Sequence, residues 1–434
     1  MKIFNSNGLV LCFFILLYSS FLSADDYQFD LSEIEKKPYN IGGFLEFRPV
    51  LFGLDRDSAL YQLKFFDKDE GQVLDQYNFG LRLEGSYQKG VASAHFRADG
   101  ILRYDYQGWN EDARLLEGYL SLRPSPGLSL NAGKEMVQWG KGYAFNPVAF
   151  ASRPKDPNDP TEALEGFFVI DADITKSYEG VLKTLSFTPI ILPVIDDVND
   201  DFGETNGINF AAKLYLLLWD TDLDFLFFTG DNRTTRYGFD FSRNIKTNFE
   251  FHGEAAWITD FTKKSIDPQG NLFTEKSDVL QWLLGIRYLT SNNITWFVEY
   301  YHNGGGLDME DAENFYQFVD DAYNLFLTEG DSTRLKKASQ LSQGTLASAK
   351  PMRDYLYVRA SWKEPFDILY FTPGFISILN INDRSMSLTP ELAYSPITNL
   401  ELRLRGAFLV GGRNTEYGGK QNNWRAELRV RYYF

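Results

Sequence analysis

Trp424-Arg425-Ala426-Glu427-Leu428-Arg429-Val430-Arg431-Tyr432-Tyr433-Phe434 closes the chain and decides its fold. Trp424, Ala426, Leu428, Val430, Tyr432 and Phe434 alternate with four charged residues and one tyrosine. A period of two is a β-strand, because successive side chains leave opposite faces of the backbone. One face is wholly apolar and the other is mostly arginine. That pairing suits a strand with lipid outside and water inside, the pattern of a transmembrane barrel.

Working back from this end, the same alternation recurs in Leu400, Leu402 and Leu404 against Glu401, Arg403 and Arg405. Near the other end it appears in Phe79, Leu81 and Leu83 against Gly80, Arg82 and Glu84. Strands are expected near 41–53, 73–87, 90–106, 113–123, 127–137, 165–175, 181–194, 207–219, 222–230, 234–243, 246–259, 278–290, 293–303, 352–363, 367–380, 384–395, 398–411 and 422–434. The count is eighteen, or sixteen if the sixth segment belongs to a loop. Short connections (87–90, 123–127, 219–222, 291–293, 395–399) alternate with others that are often long. Barrels of this kind keep short turns on the periplasmic side and longer loops outside, so both termini are expected to be periplasmic. The fold class is therefore all-β, a single transmembrane antiparallel barrel over 41–434. A soluble double-sheet protein is the structural alternative.

Composition agrees. Aromatic residues reach 16%, with 37 Phe and 25 Tyr, as interfacial girdles require. A formal net charge of −16 argues against nucleic acid as a partner. Lys2, the apolar run 9–17 and the small-residue exit Leu22-Ser23-Ala24 read as a cleavable secretory signal over 1–24, too short to span a bilayer. Cys12, the single cysteine, lies within it. Residues 25–40 are an acidic stretch expected to form a periplasmic tail or to plug the near end of the barrel.

The terminal Tyr432-Tyr433-Phe434 resembles the closing signature of outer-membrane barrels, which implies Tyr432 and Phe434 as an assembly signal and the barrel-assembly machinery as a partner. Leu128-Ser129-Leu130-Asn131-Ala132-Gly133-Lys134-Glu135, followed by Trp139-Gly140 and an Asp/Pro-rich loop, resembles the alginate-export porin-like families. That resemblance implies a passive channel, often of eighteen strands, in a bacterial outer membrane with lipid and lipopolysaccharide around it. Gly133-Lys134-Glu135 stands where those families tend to have Gly-Arg-Gln, so the resemblance implies architecture and transport class and not alginate.

A lumen of this width holds water unless loops plug it, and its lining decides function. By parity, Arg48, Arg82, Arg97, Arg103, Arg403, Arg405, Arg425, Arg429 and Arg431 point inward, with Glu46, Glu84, Asp99, Asp105, Glu401 and Glu427 on the same face. Across from them Asp224, Asp240, Glu250, Glu254 and Glu299 point inward with few cations. An arginine wall facing an acidic wall would set a transverse field across the pore. The simpler reading is that neighbouring charges pair and keep the lumen wet.

Two connections stand out. Residues 138–164 combine Trp139, Lys141, Tyr143, Phe145, Arg153, Lys155 and Asp156 with Gly140, Asn146 and Asp159, and are expected to fold inward as a constriction whose aromatic faces meet sugar rings, or to cap the mouth. Residues 304–352 carry Ala312, Phe315, Val319, Ala322 and Phe326 at helical spacing, an amphipathic helix for the rim or lumen.

Enzymatic readings are poor. His95, His252 and His302 fall on separate strands with no paired-ligand spacing and no nucleophile elbow. His252 between Glu250 and Glu254 is the best candidate for a metal, against the plainer reading of an ordinary lumen histidine. No cofactor is implied. The expected function is passive diffusion or export of small polar or anionic solutes such as oligosaccharides or organic acids. The alternative is a non-conducting structural or surface-binding barrel, and the sequence leaves oligomeric state and direction of transport open.

Overall fold

The computed structural model describes residues 37–434 except 69, 161, 204 and 345–349. The signal expected over 1–24, with Cys12, lies outside the described residues, as does the tail up to residue 36. The chain divides into a unit Met1–Pro38 and a unit Tyr39–Phe434, and the second is the barrel.

Eighteen strands run in chain order: β1 Tyr39–Leu54, β2 Val73–Lys89, β3 Ala92–Asp105, β4 Gly108–Ser125, β5 Leu128–Glu135, β6 Phe167–Ser177, β7 Leu182–Val194, β8 Gly207–Leu218, β9 Thr221–Gly230, β10 Arg236–Lys246, β11 Phe249–Ile266, β12 Leu272–Leu289, β13 Ile294–Asn303, β14 Asp354–Trp362, β15 Phe371–Asn380, β16 Met386–Ile397, β17 Leu400–Val410 and β18 Asn422–Tyr433. Each pairs antiparallel with the next, and β1 pairs with β18 to close the ring. Closure leaves no sheet edge, so every ladder has a partner where no water could supply one. Phe434 completes the seam by exchanging backbone bonds with Gly43, at 3.2 and 3.1 Å.

The wall is inside-out relative to a soluble protein. Leu404 is 51% exposed and its neighbour Arg405 3%. Leu428 is 41% exposed and Arg429 2%. So continuous an apolar outer surface would be costly in water and is at rest in hydrocarbon. The strand expectation holds for all eighteen segments, β6 included. β1 begins at Tyr39, so the last two residues assigned to the tail are already in the ladder, opposite Tyr87 and Ser86. β11 and β12 are longer than expected because Phe261 to Ile266 pair with Leu272 to Ser277 beyond the membrane-facing stretch. Lysines, threonines and Glu275 there carry no apolar alternation to read.

Both ends of the barrel strands, before β1 and after β18, lie at the rim that carries the tight turns, such as 126–127, 219–220 and 398–399. The opposite rim carries the long connections. Three helices gather there: α1 Ala59–Phe65, α2 Met309–Glu329 and α3 Thr333–Gly344. α2 is the helix expected from the spacing of Phe315 and Val319. Asp308 and Asp311 form its capping box and Gly330, at φ 74, ends it in the left-handed region. The sheet extension of β11 supports it, since Ile266 N donates to Asp311 at 3.1 Å and Asn314 donates to Ile266 O at 2.9 Å. α1 was missed because seven residues are too few to establish a period. Leu63 and Phe65 are buried, Ser58 caps the start, and Phe66 meets Phe326 of α2 edge to face at 5.2 Å.

These helices share one apolar cluster with the inner faces of β12 to β15: Phe315 and Val319 pack with Leu283, Tyr301, Tyr355, Tyr357, Ile376 and Ile378. That sector of the mouth is a hydrophobic core.

Candidate functional site

The connection 136–166 leaves β5, enters the barrel and touches both walls before reaching β6. Its tip is tied to the acidic wall by backbone donors. Gly142 N and Val148 N donate to Glu254 at 2.5 and 3.3 Å, and Tyr143 N and Ala144 N donate to Glu299 at 2.5 and 2.9 Å. Each such bond contributes about 0.5–1.5 kcal/mol net, rising to about 3 where the carboxylate is ionised. So close an approach needs glycine: a Cβ on Gly142 would lie 2.0 Å from Phe145 O, and Gly140, at φ +96, would place one 2.6 Å from Glu254 Oε1. Tyr143 OH reaches Glu250 at 3.1 Å, and burial with that charge pushes the phenol up to about 12.

Lys141 sits 2.9 Å from Asp224 and 3.9 Å from Asp240, which face each other across β9 and β10. Burial pulls its ammonium down, but the two aspartates outweigh burial and hold it above its ordinary value. Lys155 Nζ closes the turn on Gly142 O at 2.8 Å.

The returning limb crosses to the arginine wall. Asp159 lies 3.3 Å from Arg405, 3.2 Å from Arg429 and 3.7 Å from Arg403. Nearer its root, Lys134 and Glu165 form an ion pair, and Arg153 pairs with Glu165 and Asp201. Sequence placed Asp159 in this loop without its role as the second anchor.

Several expected site residues are inward yet covered. Asp224, Asp240, Glu254 and Glu299 are buried under the loop, so they do not line free water as expected: they bind loop N–H groups and Lys141 instead. Phe145 is fully buried, stacked on Tyr301 at 4.8 Å, and Trp139 is buried among Val148, Phe150 and Phe167. Neither offers a face to a sugar ring, because apolar rings beside an apolar wall pack into it. Asp156 shapes its own turn, accepting from Asn158 N at 2.9 Å and Asn158 Nδ2 at 3.1 Å.

The arginine wall is largely neutralised in place. Arg82 makes two bonds of 2.6 Å to Asp99, Arg431 reaches Glu46 at 2.5 Å, and Arg97 bridges Glu84 and Glu117 at 2.9 and 2.7 Å. Arg405 holds Glu391 at 2.5 Å, Arg403 holds Glu401 at 3.1 Å, and Arg425 lies 3.5 Å from Glu427. Arg48 pairs with Glu46 at 3.4 Å and Arg103 with Asp105 at 3.4 Å. Arg103, 45% exposed, and Arg97 and Arg425, near 30%, are the members most open to water.

A cavity of about 570 Å³ lies between the first limb of the loop and the inner faces of β5 to β8, lined by Asn131, Glu135, Asp171, Asp173, Lys213 and Tyr215 with Gln138 and Lys141. Glu135 on β5 and Asp171 and Asp173 on β6 thus face this cavity, while most of the acids expected over β9 to β13 lie under the loop. Parity would have found Asp171 and Asp173, which alternate with Ile170, Ala172 and Ile174.

His252 is fully buried, 3.1 Å from Glu299 and 3.6 Å from Glu250, and edge-on to Tyr143 at 5.2 Å. His95 stacks on Tyr119 and His302 pairs with Asp354. Among the described residues no three His, Cys, Asp or Glu converge as metal ligands.

No protein-family model and no curated protein matches the chain. Among solved structures the backbone is similar to OccK11 (OpdR) of Pseudomonas aeruginosa, at 12% identity over 91% of this chain and 96% of that one, TM-score 0.49. It is similar to the outer membrane protein OprD of the same organism, at 11% identity over 91% and 93%, TM-score 0.46. OccAB2 of Acinetobacter baumannii shares 12% over 91% and 98%, TM-score 0.48.

Proposed function

We propose that the chain is an outer-membrane channel for the passive diffusion of small polar or anionic solutes, oligosaccharides and organic acids among them. The observation that carries this reading is the loop 136–166, held inside a closed barrel at Glu254 and Glu299 on one side and at Arg405 and Arg429 on the other. A barrel built only to be solid has no use for a charged, hydrated interior crossed by a tethered loop; a pore uses it to set size and charge. The short-turn rim with both barrel ends faces the periplasm, and the helical rim faces outward among lipopolysaccharide. The aromatic end at Tyr432 and Phe434 serves the barrel-assembly machinery. The resemblance of Leu128 to Glu135 to alginate-export families supports the same transport class.

The second reading, a non-conducting barrel, is favoured by the apolar cluster that fills the mouth over β12 to β15. Liposome swelling with graded neutral sugars and their uronic acids decides between them. Swelling that falls with solute size and is faster for the acids supports the channel. Rates equal to protein-free liposomes for every solute overturn it.

A further inference from the structure

Arg233 and Arg236 are neighbouring arginines that, among the described residues, hold no carboxylate, unlike those of the arginine wall. Arg153, beside Arg233, pairs with Glu165 and Asp201, and the arginines of β1 to β3, β17 and β18 each hold a carboxylate. Among the described residues neither Arg233 nor Arg236 makes an ion pair. Arg233 lies flat on Phe202, its guanidinium carbon 3.6 Å from the ring centre, and Nε donates to Phe202 O at 3.1 Å. Arg236 sits 5.8 Å from the Phe228 ring and 6.0 Å from Phe150, and its Nε is shut from water without a partner. Phe202 and Phe228 are 5.8 Å apart, which brings the two guanidiniums to one aromatic platform. In a chain of net charge −16, two adjacent cations left unneutralised in a mostly enclosed place call for a partner.

The aromatic faces hold the guanidinium planes in place. Cation–π contact alone would account for one arginine on one ring, but it leaves the hydrogen-bonding ends of both forks unused. Arg236 opens β10 at the long-loop rim and shares the inner face of Asp240, four residues further in, or about 13 Å along the strand. Asp240 belongs to the Lys141 anchor. The pair therefore lies on the outer side of the constriction.

We propose that Arg233 and Arg236 form a capture site for the oxyanion head of a solute, a carboxylate or a phosphate, at the outer side of the constriction. Two fixed guanidinium forks match the two-oxygen edge that both heads present. Burial, with the charges of Arg236 and Arg153 close by, lowers Arg233 to about 10, so the guanidinium remains charged at neutral pH and an added anion relieves the repulsion. Its role in transport rests on the channel reading above; the binding itself does not.

The test reads binding without conduction. With the folded barrel in detergent micelles at neutral pH, broadening of the proton signals of succinate and of the phosphorus signal of inorganic phosphate reports capture. At least one of the two broadens with the native protein, succinate alone marking a carboxylate site and phosphate alone a phosphate site. The double variant Arg233→Gln/Arg236→Gln weakens apparent affinity at least tenfold, and Lys337→Gln on α3 leaves it unchanged. Arg236→Lys, which keeps charge and bulk but loses the fork, weakens it several-fold and serves if the double variant does not fold. No broadening with the native protein, or equal broadening in the Arg variants, overturns the proposal. Arginine-dependent binding by a barrel that never conducts would sink the channel reading and leave this one standing. A conducting barrel that binds without these arginines does the reverse.

Discussion

The backbone N–H of Gly142 donates to Glu254 Oε1 at 2.5 Å, across 112 residues of chain, so the tip of a loop that leaves β5 is fastened to the wall made by β11. Glu254 also takes the N–H of Val148, and one carboxylate thus holds both sides of the turn. Glu254→Ala removes both acceptors and leaves two buried donors unmatched. The expected loss is about 3 kcal/mol in local stability, roughly a hundredfold faster amide exchange over 142–148. Exchange unchanged from the native protein would mean that these bonds do not hold the loop.

Asp159 compensates arginines that otherwise point into the lumen, at 3.2 Å from Arg429 and 3.3 Å from Arg405. Asp159→Asn removes that charge and should raise the anion-to-cation permeability ratio by roughly twofold or more, since fixed charge at a narrow point governs which ions enter. Reversal potentials across a salt gradient measure it. An unchanged ratio would place the constriction elsewhere.

Glu416, in the connection 411–421, is buried and accepts from Tyr355 OH and Asn380 Nδ2, each at 2.8 Å. Burial pushes its carboxyl up to about 7 from 4.5. A raised acid is easiest to keep folded when protonated: the folded form bears no penalty below about 4.5, and the penalty grows until the pH passes 7. Amide exchange over 411–421 is therefore expected to quicken as pH rises through that window, by at most about 3 kcal/mol. Glu416→Gln should abolish the dependence, and a variant that retains it would assign the effect to another group.

Phe315 of α2 is fully buried in the cluster that includes Tyr355 and Tyr357. Phe315→Ala should cost the helical cap about 3–5 kcal/mol by lost burial and a cavity. Limited proteolysis would then cut within 304–353 while the barrel strands stay intact. Cleavage no faster than in the native chain would show that the cap does not depend on this contact.

The wall was legible because the bilayer imposes one rule on every strand: Leu400, Leu402 and Leu404 must meet lipid, so Glu401, Arg403 and Arg405 must meet the interior. Periodicity also revealed α2, whose apolar stripe is long. It could not reveal where 136–166 goes. The partners of that loop are its own backbone N–H groups, which carry no side-chain signature, and they bind Glu254 and Glu299, more than 100 residues away. Parity alone therefore assigned those acids to open water. It likewise could not tell that Phe145 would bury against Tyr301 instead of facing a solute. The pairing of Arg82 with Asp99 followed from strand neighbours, because residues opposite each other across a ladder meet by construction.

The central claim is that a loop anchored at Glu254 and Asp159 narrows a conducting lumen. Single-channel recording in planar bilayers tests it most directly, with the native protein beside a variant in which residues 142–158 are replaced by a short glycine-serine link. The account predicts discrete steps from the native protein and larger steps from the variant. Equal steps from the two would contradict the constriction, and silence from both would contradict the channel.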